Sequence, residues 1–448
     1  MANKDGAAAS LIEKAKKVLD NNWTGNFTVP SQSIYPHQWS WDSAFISMGY
    51  AHYDQLKAEK ELRRLFEGQW SNGMVPHIVY NDKGEDFDYF PGPDFWEIID
   101  LDQSPDDLLT SGICQPPIHA TAVRHLLERA DDRARAQAFA ADLFSGLKKW
   151  HNFLYRERDP QHEGLVYIRH PWSSGQDNSP NWDEVLKKID LDEKDIPDYE
   201  RKDEDHVDSA ERPTDENYDR FVYLIDFFRK REYNEEKIRK DGCPFMVQDI
   251  LFNSLLCRAG RDLAQIAEWL GKNPMPFLKQ AHKTAGAINR KLWDQNHGIY
   301  IDYDLKADEP IQIHMLSGFT PLFADIPSPV RAERMFNYLN TRSFCRLNND
   351  QFAVPSYDRQ EPEFSSNKYW RGPIWINMNW LLYKGLARYG HKSYDKKIKE
   401  TIINLCRQHG FHEYYNPDNG EGYGSDNFSW SAALLIDILE SERAVKTG

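Results

Sequence analysis

His170-Pro171-Trp172-Ser173-Ser174-Gly175-Gln176-Asp177-Asn178-Ser179-Pro180-Asn181-Trp182-Asp183 is the stretch around which the rest of this 448-residue chain can be organised. Gly175 lets the backbone turn tightly just ahead of one carboxylate, Asp177. Indoles, Trp172 and Trp182, stand on both sides. An apolar wall disfavours the ionised form of a carboxyl and so keeps its proton on, and flat rings stack on sugar faces. Much later, Gly410-Phe411-His412-Glu413-Tyr414-Tyr415-Asn416-Pro417 offers a second carboxylate, Glu413. Cleaving a glycosidic bond takes two such groups. Spacing alone specifies this pair weakly, because the chain holds 70 acidic residues and most must be solvated.

Around these two segments the chain reads as helix after helix. Apolar residues recur at helical spacing from Leu11, Ala15 and Val18 to Asn22, and again at Ile118, Ala122, Val123 and Leu126. The same pattern returns at Leu143, Leu147, Trp150 and Leu154, at Leu263, Ile266, Ala267 and Leu270, and at Ile398, Ile402 and Leu405. Phe428 to Leu439 reads as a final, largely buried helix. Alternation of period two is confined to Val75–Tyr80, Leu165–Arg169 and Ile299–Tyr303. The expectation is a mostly α protein. Aromatic, glycine-bearing loops between the helices would build one shared pocket if the helices pair into a ring. The span from Asp183 to Arg220 is rich in Asp, Glu and Lys and reads as an exposed insertion, either a lid or a plain solvated loop.

Bulk properties exclude several classes. A formal net charge of −15 argues against nucleic acid or an anionic membrane as partner. No run of 18 apolar residues is present, and Met1 to Ser10 lacks the apolar core of a secretory signal. Cys114, Cys243, Cys257, Cys345 and Cys406 are scattered and odd in number, as in a cytoplasmic protein with reduced thiols. No H-E-x-x-H, C-x-x-C, phosphate-loop or G-x-S-x-G motif occurs, so neither metal nor cofactor is expected. Trp39, Trp41, Trp70, Trp96, Trp182 and Trp430 cannot all touch a ligand, and about half should be packing. His37 and His412 flank the two key segments and read as loop supports.

Ser174-Gly175-Gln176-Asp177-Asn178-Ser179-Pro180-Asn181-Trp182 resembles the S-G-x-D-x-S-x-x-W signature of glycoside hydrolase family 63 and the related trehalases. Tyr35-Pro36-His37-Gln38-Trp39-Ser40-Trp41-Asp42 is similar to the first sugar-binding loop of that group. Tyr369-Trp370-Arg371-Gly372-Pro373-Ile374-Trp375 and Glu413-Tyr414-Tyr415-Asn416 are similar to its two late motifs. The likeness runs from about Tyr35 to Trp430 and is nearest to the small branch acting on glucosylglycerate or mannosylglycerate. It implies an all-α (α/α)6 barrel, a six-hairpin toroid, as one domain over residues 1–448. Insertions of about 67–110 and 183–240 would form a cap or lid.

The resemblance also implies roles. Asp177 would be the general acid and Glu413 the general base of an inverting hydrolase. Trp41, Asp42 and Gln115 would hold the sugar, Trp370 and Trp375 would wall it, and Tyr35, Trp39, Tyr89, Trp172 and Tyr369 would complete the pocket. The expected substrate is a glycoside with an acidic aglycone, glycerate, and homo-oligomerisation stays open. Arg212 and Tyr218 in Glu211-Arg212-Pro213-Thr214-Asp215-Glu216-Asn217-Tyr218 could clamp that carboxylate, Arg212 with two parallel hydrogen bonds. Lys368 is a lesser candidate for a second charge. Asp418-Asn419-Gly420-Glu421-Gly422-Tyr423-Gly424 is only loosely similar to the trehalase glycine-rich run. The alternatives are a trehalase-like or oligosaccharide α-glucosidase, and a sugar-binding protein without activity.

Overall fold

The computed structural model describes residues 2–81, 89–192, 195–203 and 209–447. Six elements form an inner ring: helices Ser40–Tyr50, His119–Arg129 and Ile250–Trp269, the 3-10 turn Leu316–Leu322, and helices Ile376–Arg388 and Ser429–Thr447. Each packs on the next in this order, and the last packs on the first, which closes the ring. Helices Ala2–Asn21, Gln55–Glu67, Arg133–Glu157, Met275–Lys291, Pro329–Leu339 and Lys392–His409 alternate with them along the chain as the outer layer. The fold is the expected all-α (α/α)6 toroid.

Burial explains the two layers. Every residue of Ser40–Tyr50 is buried, as an inner helix covered on both sides requires. Gln55–Glu67 instead buries Ala58, Leu62 and Leu65 at three- and four-residue spacing and exposes Leu56, Lys60 and Glu67. The stripe Leu143, Leu147, Trp150 and Leu154 is the buried face of Arg133–Glu157, and Ile398, Ile402 and Leu405 that of Lys392–His409. The inner ring is locked away from the helix starts by Asp437, which is fully buried. It accepts from Trp380 Nε1 at 2.9 Å and Lys384 Nζ at 2.8 Å and meets His52 and His125 at 2.9 and 3.1 Å. Burial opposes its ionisation, but Lys384 and His125 outweigh burial and hold the carboxyl well below its usual range. The five cysteines are free and buried, and no described helix is long and apolar enough to cross a membrane.

Strands are two-residue pairs. Val75–Tyr80 contributes Ile78–Val79, paired with Gln38–Trp39. Ile299–Tyr303 is divided between two hairpins. Leu165–Arg169 makes a single bridge, from Ile168 to Val247, because Leu165, Val166 and Ile168 are all taken up by the core.

Residues 68–118 and 158–249 leave the hairpin pattern. They carry a second apolar cluster that includes Trp96, Phe221, Phe228 and Phe245. They also pack on each other: the Phe90 ring stacks on Tyr199 at 5.4 Å and lies tilted against Tyr218 at 6.4 Å. The described part of 183–220 is exposed or half-buried over most of its length, as its composition suggested, but not throughout. Arg212, Pro213 and Tyr218 are buried, and the helix Asp215–Arg229 turns Phe221, Val222, Leu224, Ile225 and Phe228 inward. Sparse aromatic residues do the burying, while Arg201 pairs with Asp203 and Asp215 nearer the surface. Residues 82–88, 193–194 and 204–208 of these insertions lie outside the described part.

Candidate active site

The inner helices start at one end of the ring, and the segments leading into them meet there. Trp39 to Asp42 opens the first helix, Gln115 precedes the second, Tyr369–Trp375 precedes the fifth element, and Glu413 to Phe428 leads into the sixth. Helix starts carry partial positive charge, which suits a site built from carboxylates and hydroxyls. The cavity there has two chambers. An inner one of about 50 Å³ is lined by Trp41, Asp42, Gln115, Gly175, Trp370, Glu413, Phe428 and Trp430. An outer one of about 200 Å³ is lined by Tyr89, Phe90, Trp172, Lys202, Asp203, Arg212, Pro213 and Tyr218. Tyr35, Trp39, His77, Asp177 and Tyr369 line both. Asp177 thus stands at the junction, and Glu413 only in the inner chamber.

Local backbone chemistry sets Asp177. His170 caps the short 3-10 turn Pro171–Ser174 by accepting from Trp172 N, and Gly175 ends it in the left-handed region at φ +72°. A Cβ at Gly175 would lie 2.6 Å from the Trp41 ring, so only glycine permits this approach. Asn178 Oδ1 then accepts from Trp370 N at 2.9 Å, which ties this loop to Tyr369–Trp375. Asp177 keeps partial contact with solvent through the cavity. Burial nonetheless pushes its carboxyl up to about 7; Arg212 pulls it down, and Glu413 and Asp203 push it further up.

Glu413 enters from a three-stranded sheet in which Tyr414–Tyr415 lies between Ile374–Trp375 and Gly422–Tyr423. Its Oε1 accepts from Tyr35 OH at 2.9 Å and Tyr369 OH at 3.3 Å, and its Oε2 from Ser425 N at 3.2 Å. Gly424, at φ +65°, leaves the space beside Oε2 that any Cβ would fill. Burial raises Glu413 too, but Arg212, the Ser425 N–H and both tyrosine hydroxyls favour its charged form. The two carboxyls therefore differ: Glu413 is held as an acceptor, and Asp177 is biased towards keeping its proton. Asp42 is buried beside them, and burial first, then Glu413, Glu61 and Asp177, raise it well above the carboxylate range.

Arg212 dominates the outer chamber. It is 4% exposed, donates through Nη1 to Tyr35 OH at 3.2 Å and lies over the Tyr369 ring at 4.8 Å. Its Nε and Nη2 are buried and have no partner among the described residues. These two N–H groups form one side of the guanidinium fork, the side that grips a carboxylate with two parallel bonds. Next to Arg212, Glu211 Oε2 accepts from Tyr414 OH at 2.6 Å, which links this segment to the Glu413 loop.

Thirteen of the fourteen residues singled out from sequence line one chamber or both. Trp375 does not: it is fully buried and stacks behind Trp370 at 3.7 Å and 3°. Lys368 lines neither chamber, whereas Lys202 lines the outer one. His37 supports its loop by accepting from Asn81 N at 3.2 Å, as burial, which lowers it to about 3, makes it neutral. Trp39, Trp41 and Trp430 face the cavity, whereas Trp70, Trp96 and Trp182 are core. His77 went unread. It lies inside the Val75–Tyr80 strand segment, where a lone polar residue among apolar ones was the available signal. Its Nδ1 is buried without a partner, and burial lowers it to about 3. A larger groove of about 1090 Å³ lies among the helices Arg133–Glu157, Ile250–Trp269 and Met275–Lys291. Its lining holds Lys148, Arg156, Lys272 and Lys283 but one carboxylate, Asp159, so it offers no pair of carboxylates.

Comparison with known proteins agrees with this geometry. A family model described as the mannosylglycerate hydrolase MGH1-like glycoside hydrolase domain matches residues 35–431. A mannosylglycerate hydrolase of Rubrobacter radiotolerans is 50% identical over 430 residues, 96% of each chain. A glucosylglycerate hydrolase of Mycolicibacterium hassiacum is 33% identical over 440 residues, 96% of this chain and 97% of that one. The crystal structure of the glycoside hydrolase family 63 mannosylglycerate hydrolase from Thermus thermophilus, in complex with Tris and D-glycerate, superposes with a TM-score of 0.88. It is 42% identical and covers 95% of this chain and 99% of its own.

Proposed function

This chain belongs to the mannosylglycerate hydrolase MGH1-like glycoside hydrolases, in the small branch of glycoside hydrolase family 63, and from that premise we propose that it cleaves an α-hexosylglycerate, mannosylglycerate foremost, with inversion at the anomeric carbon. The observation that carries this reading is the order of groups along the cavity. Glu413 is in the inner chamber, Asp177 at the junction, and the unpartnered fork of Arg212 in the outer one. A hexose in the inner chamber and a carboxylate on Arg212 would put the bond between them beside Asp177.

The chemistry then follows. Trp41, Trp370 and Trp430 offer faces for the pyranose, while Asp42 and Gln115 offer hydrogen bonds to its hydroxyls. The Asp177 carboxyl donates its proton to the glycosidic oxygen as the bond to the anomeric carbon breaks, and glycerate leaves neutral at that oxygen. Glu413 takes a proton from a water that attacks the same carbon from the opposite face. Afterwards Glu413 holds a proton taken from water and Asp177 is ionised, and exchange with solvent resets the pair. Arg212 serves twice, binding the aglycone and helping to keep Glu413 charged. A buried guanidinium fork without partners costs free energy that a ligand carboxylate recovers, at about 1.5–3 kcal/mol per charged hydrogen bond. The residues 68–118 and 158–249 would act as a cap that shelters this exchange from bulk water.

Mannose is preferred over glucose because the 50% identical relative carries the mannosylglycerate name and the 33% identical one the glucosylglycerate name. The test is a substrate panel read by release of glycerate or sugar, run on the wild type and Arg212→Ala. The variant should lose hexosylglycerates at least 100-fold in kcat/KM, from roughly 3 kcal/mol of lost contacts. It should lose a neutral α-glycoside far less. Equal losses on both would favour a trehalase-like or oligosaccharide glucosidase, and tight binding of hexosylglycerate without release would favour a sugar-binding protein.

A further inference from the structure

Away from the cavity lining, the hairpin Trp293–Tyr300 carries Asp294 and His297, and the loop before the turn Leu316–Leu322 brings His314 to the same place. Asp294 Oδ2 lies 2.5 Å from His297 Nδ1 and 3.4 Å from His314 Nε2, and the three atoms lie within 4.8 Å of one another. Histidines are the ion-pair partners described for Asp294.

The protonation of His314 can be worked out from its other side. Tyr338 OH donates to Asp358 Oδ2 at 2.7 Å and lies 3.0 Å from His314 Nδ1. A hydroxyl has one proton, so its oxygen must accept from His314 Nδ1–H. With the proton on Nδ1, the Nε2 of a neutral ring presents a lone pair. That atom is buried in a residue 6% exposed, has no aligned hydrogen-bond partner, and faces a carboxylate oxygen. Two lone pairs in opposition call for a cation between them. An Asp–Tyr–His relay is also the way proteins orient a metal-bound imidazole.

We propose that Asp294 Oδ2, His297 Nδ1 and His314 Nε2 form a binding site for a divalent transition ion of the zinc class, with a fourth position for water. Bonds of about 2.0–2.1 Å place tetrahedral ligand atoms roughly 3.3 Å apart. The His314–Asp294 spacing of 3.4 Å already fits, and His297, whose side chain is 50% exposed, needs to move back by less than about 1 Å. Two rival clusters are already occupied: in His52, His125 and Asp437 the carboxylate takes Lys384 and Trp380, and in His314, Asp358 and Glu361 the Asp358 carboxylate takes Tyr338 OH and Gln360 N. The ion would act as a structural clamp. His314 O accepts from Asp358 N at 3.2 Å, Leu316 N donates to Ser356 O at 2.9 Å, and Ser356 Oγ accepts from Gly372 N at 3.0 Å in the Tyr369–Trp375 loop. One ion would therefore pin the hairpin to the strand that backs a wall of the cavity.

The test titrates the full chain, freed of metal by chelator, with Co²⁺ alone, then with competing Zn²⁺. Expected are one equivalent bound, the strong visible absorption of tetrahedral Co²⁺, its loss on adding Zn²⁺, and a higher Tm with either ion. His297→Ala, a half-exposed position outside the cavity, should keep basal hydrolysis but lose the absorption and the Tm rise. Tyr338→Phe should weaken affinity about 10–100-fold through the relay. No stoichiometric binding, a weak octahedral spectrum, or binding unchanged in His297→Ala would overturn the site.

Discussion

Replacing Asp177 with asparagine is expected to raise the melting temperature at alkaline pH while removing most turnover. Burial, with Glu413 and Asp203 adding to it, sets this carboxyl at about 7 against an ordinary 3.8. The native state thus binds the proton more tightly than the unfolded chain does. The resulting stability is complete below a pH of about 3.8 and is lost as pH rises through about 7. A rise from 3.8 to about 7 is worth about 4 kcal/mol, at about 1.4 kcal/mol per tenfold change. Solvent reaching the carboxyl through the cavity screens part of this and leaves roughly 2 kcal/mol. Asparagine matches the shape of the protonated acid and has no charge to bury. Parent and variant should melt nearly together at pH 4 and separate by pH 8, with the variant higher. An unfolding entropy of about 2.1 cal/mol/K per residue over 448 residues turns roughly 2 kcal/mol into about 2 °C. Differential scanning calorimetry at the two pH values reads this directly. A variant that melts below the parent at pH 8, or a gap that does not narrow towards pH 4, would refute the reasoning that burial disfavours the Asp177 charge.

Three further outcomes follow from the same electrostatics. Asp177→Asn and Glu413→Gln should each lower kcat on the hexosylglycerate by on the order of 10²–10⁴. On an α-hexosyl fluoride, whose leaving group needs no proton, Asp177→Asn should recover much of its rate and Glu413→Gln should not; the opposite pattern would exchange the two roles. The pH profile of kcat/KM should be bell-shaped, with an alkaline limb near the Asp177 value of about 7 and an acid limb from Glu413 above 4.5. Because Arg212 lowers both carboxyls, Arg212→Ala should move both limbs to higher pH, and limbs that stay in place would contradict its electrostatic reach to both.

The outer helix Arg133–Glu157 was legible because it buries one face, and Leu143, Leu147, Trp150 and Leu154 repeat at the spacing that face demands. The fourth inner position was not. Leu316–Leu322 is a short 3-10 turn with Pro321 inside it, wholly buried, so no stripe marks it and the proline reads as a break. At the site, glycines and aromatic residues around Asp177 and Glu413 marked them only weakly in sequence, and the resemblance to a family supplied their pairing. Trp375 shows the limit of that signal: side chains two to six residues apart in a turn can face the cavity or stand behind the one that does. The composition of 183–220 matches its largely exposed described residues but hid the inward-facing ones for a related reason. Many charges on the outer side hid the few residues, Tyr199, Arg212 and Tyr218, that point inward and decide burial. The His297–His314 pairing was out of reach, since the two are brought together only by the hairpin and the loop that follows it.

The central claim is that Asp177 and Glu413 act on opposite faces of one bound hexose in a single displacement. Proton NMR during the first minutes of hydrolysis of α-mannosylglycerate tests it, because the anomeric signal of the sugar first released is resolved before mutarotation mixes the forms. The account predicts β-mannose first, with α-mannose growing in later. α-Mannose appearing first would mean retention through a covalent intermediate, and the assignment of Glu413 as a base acting on water would be wrong.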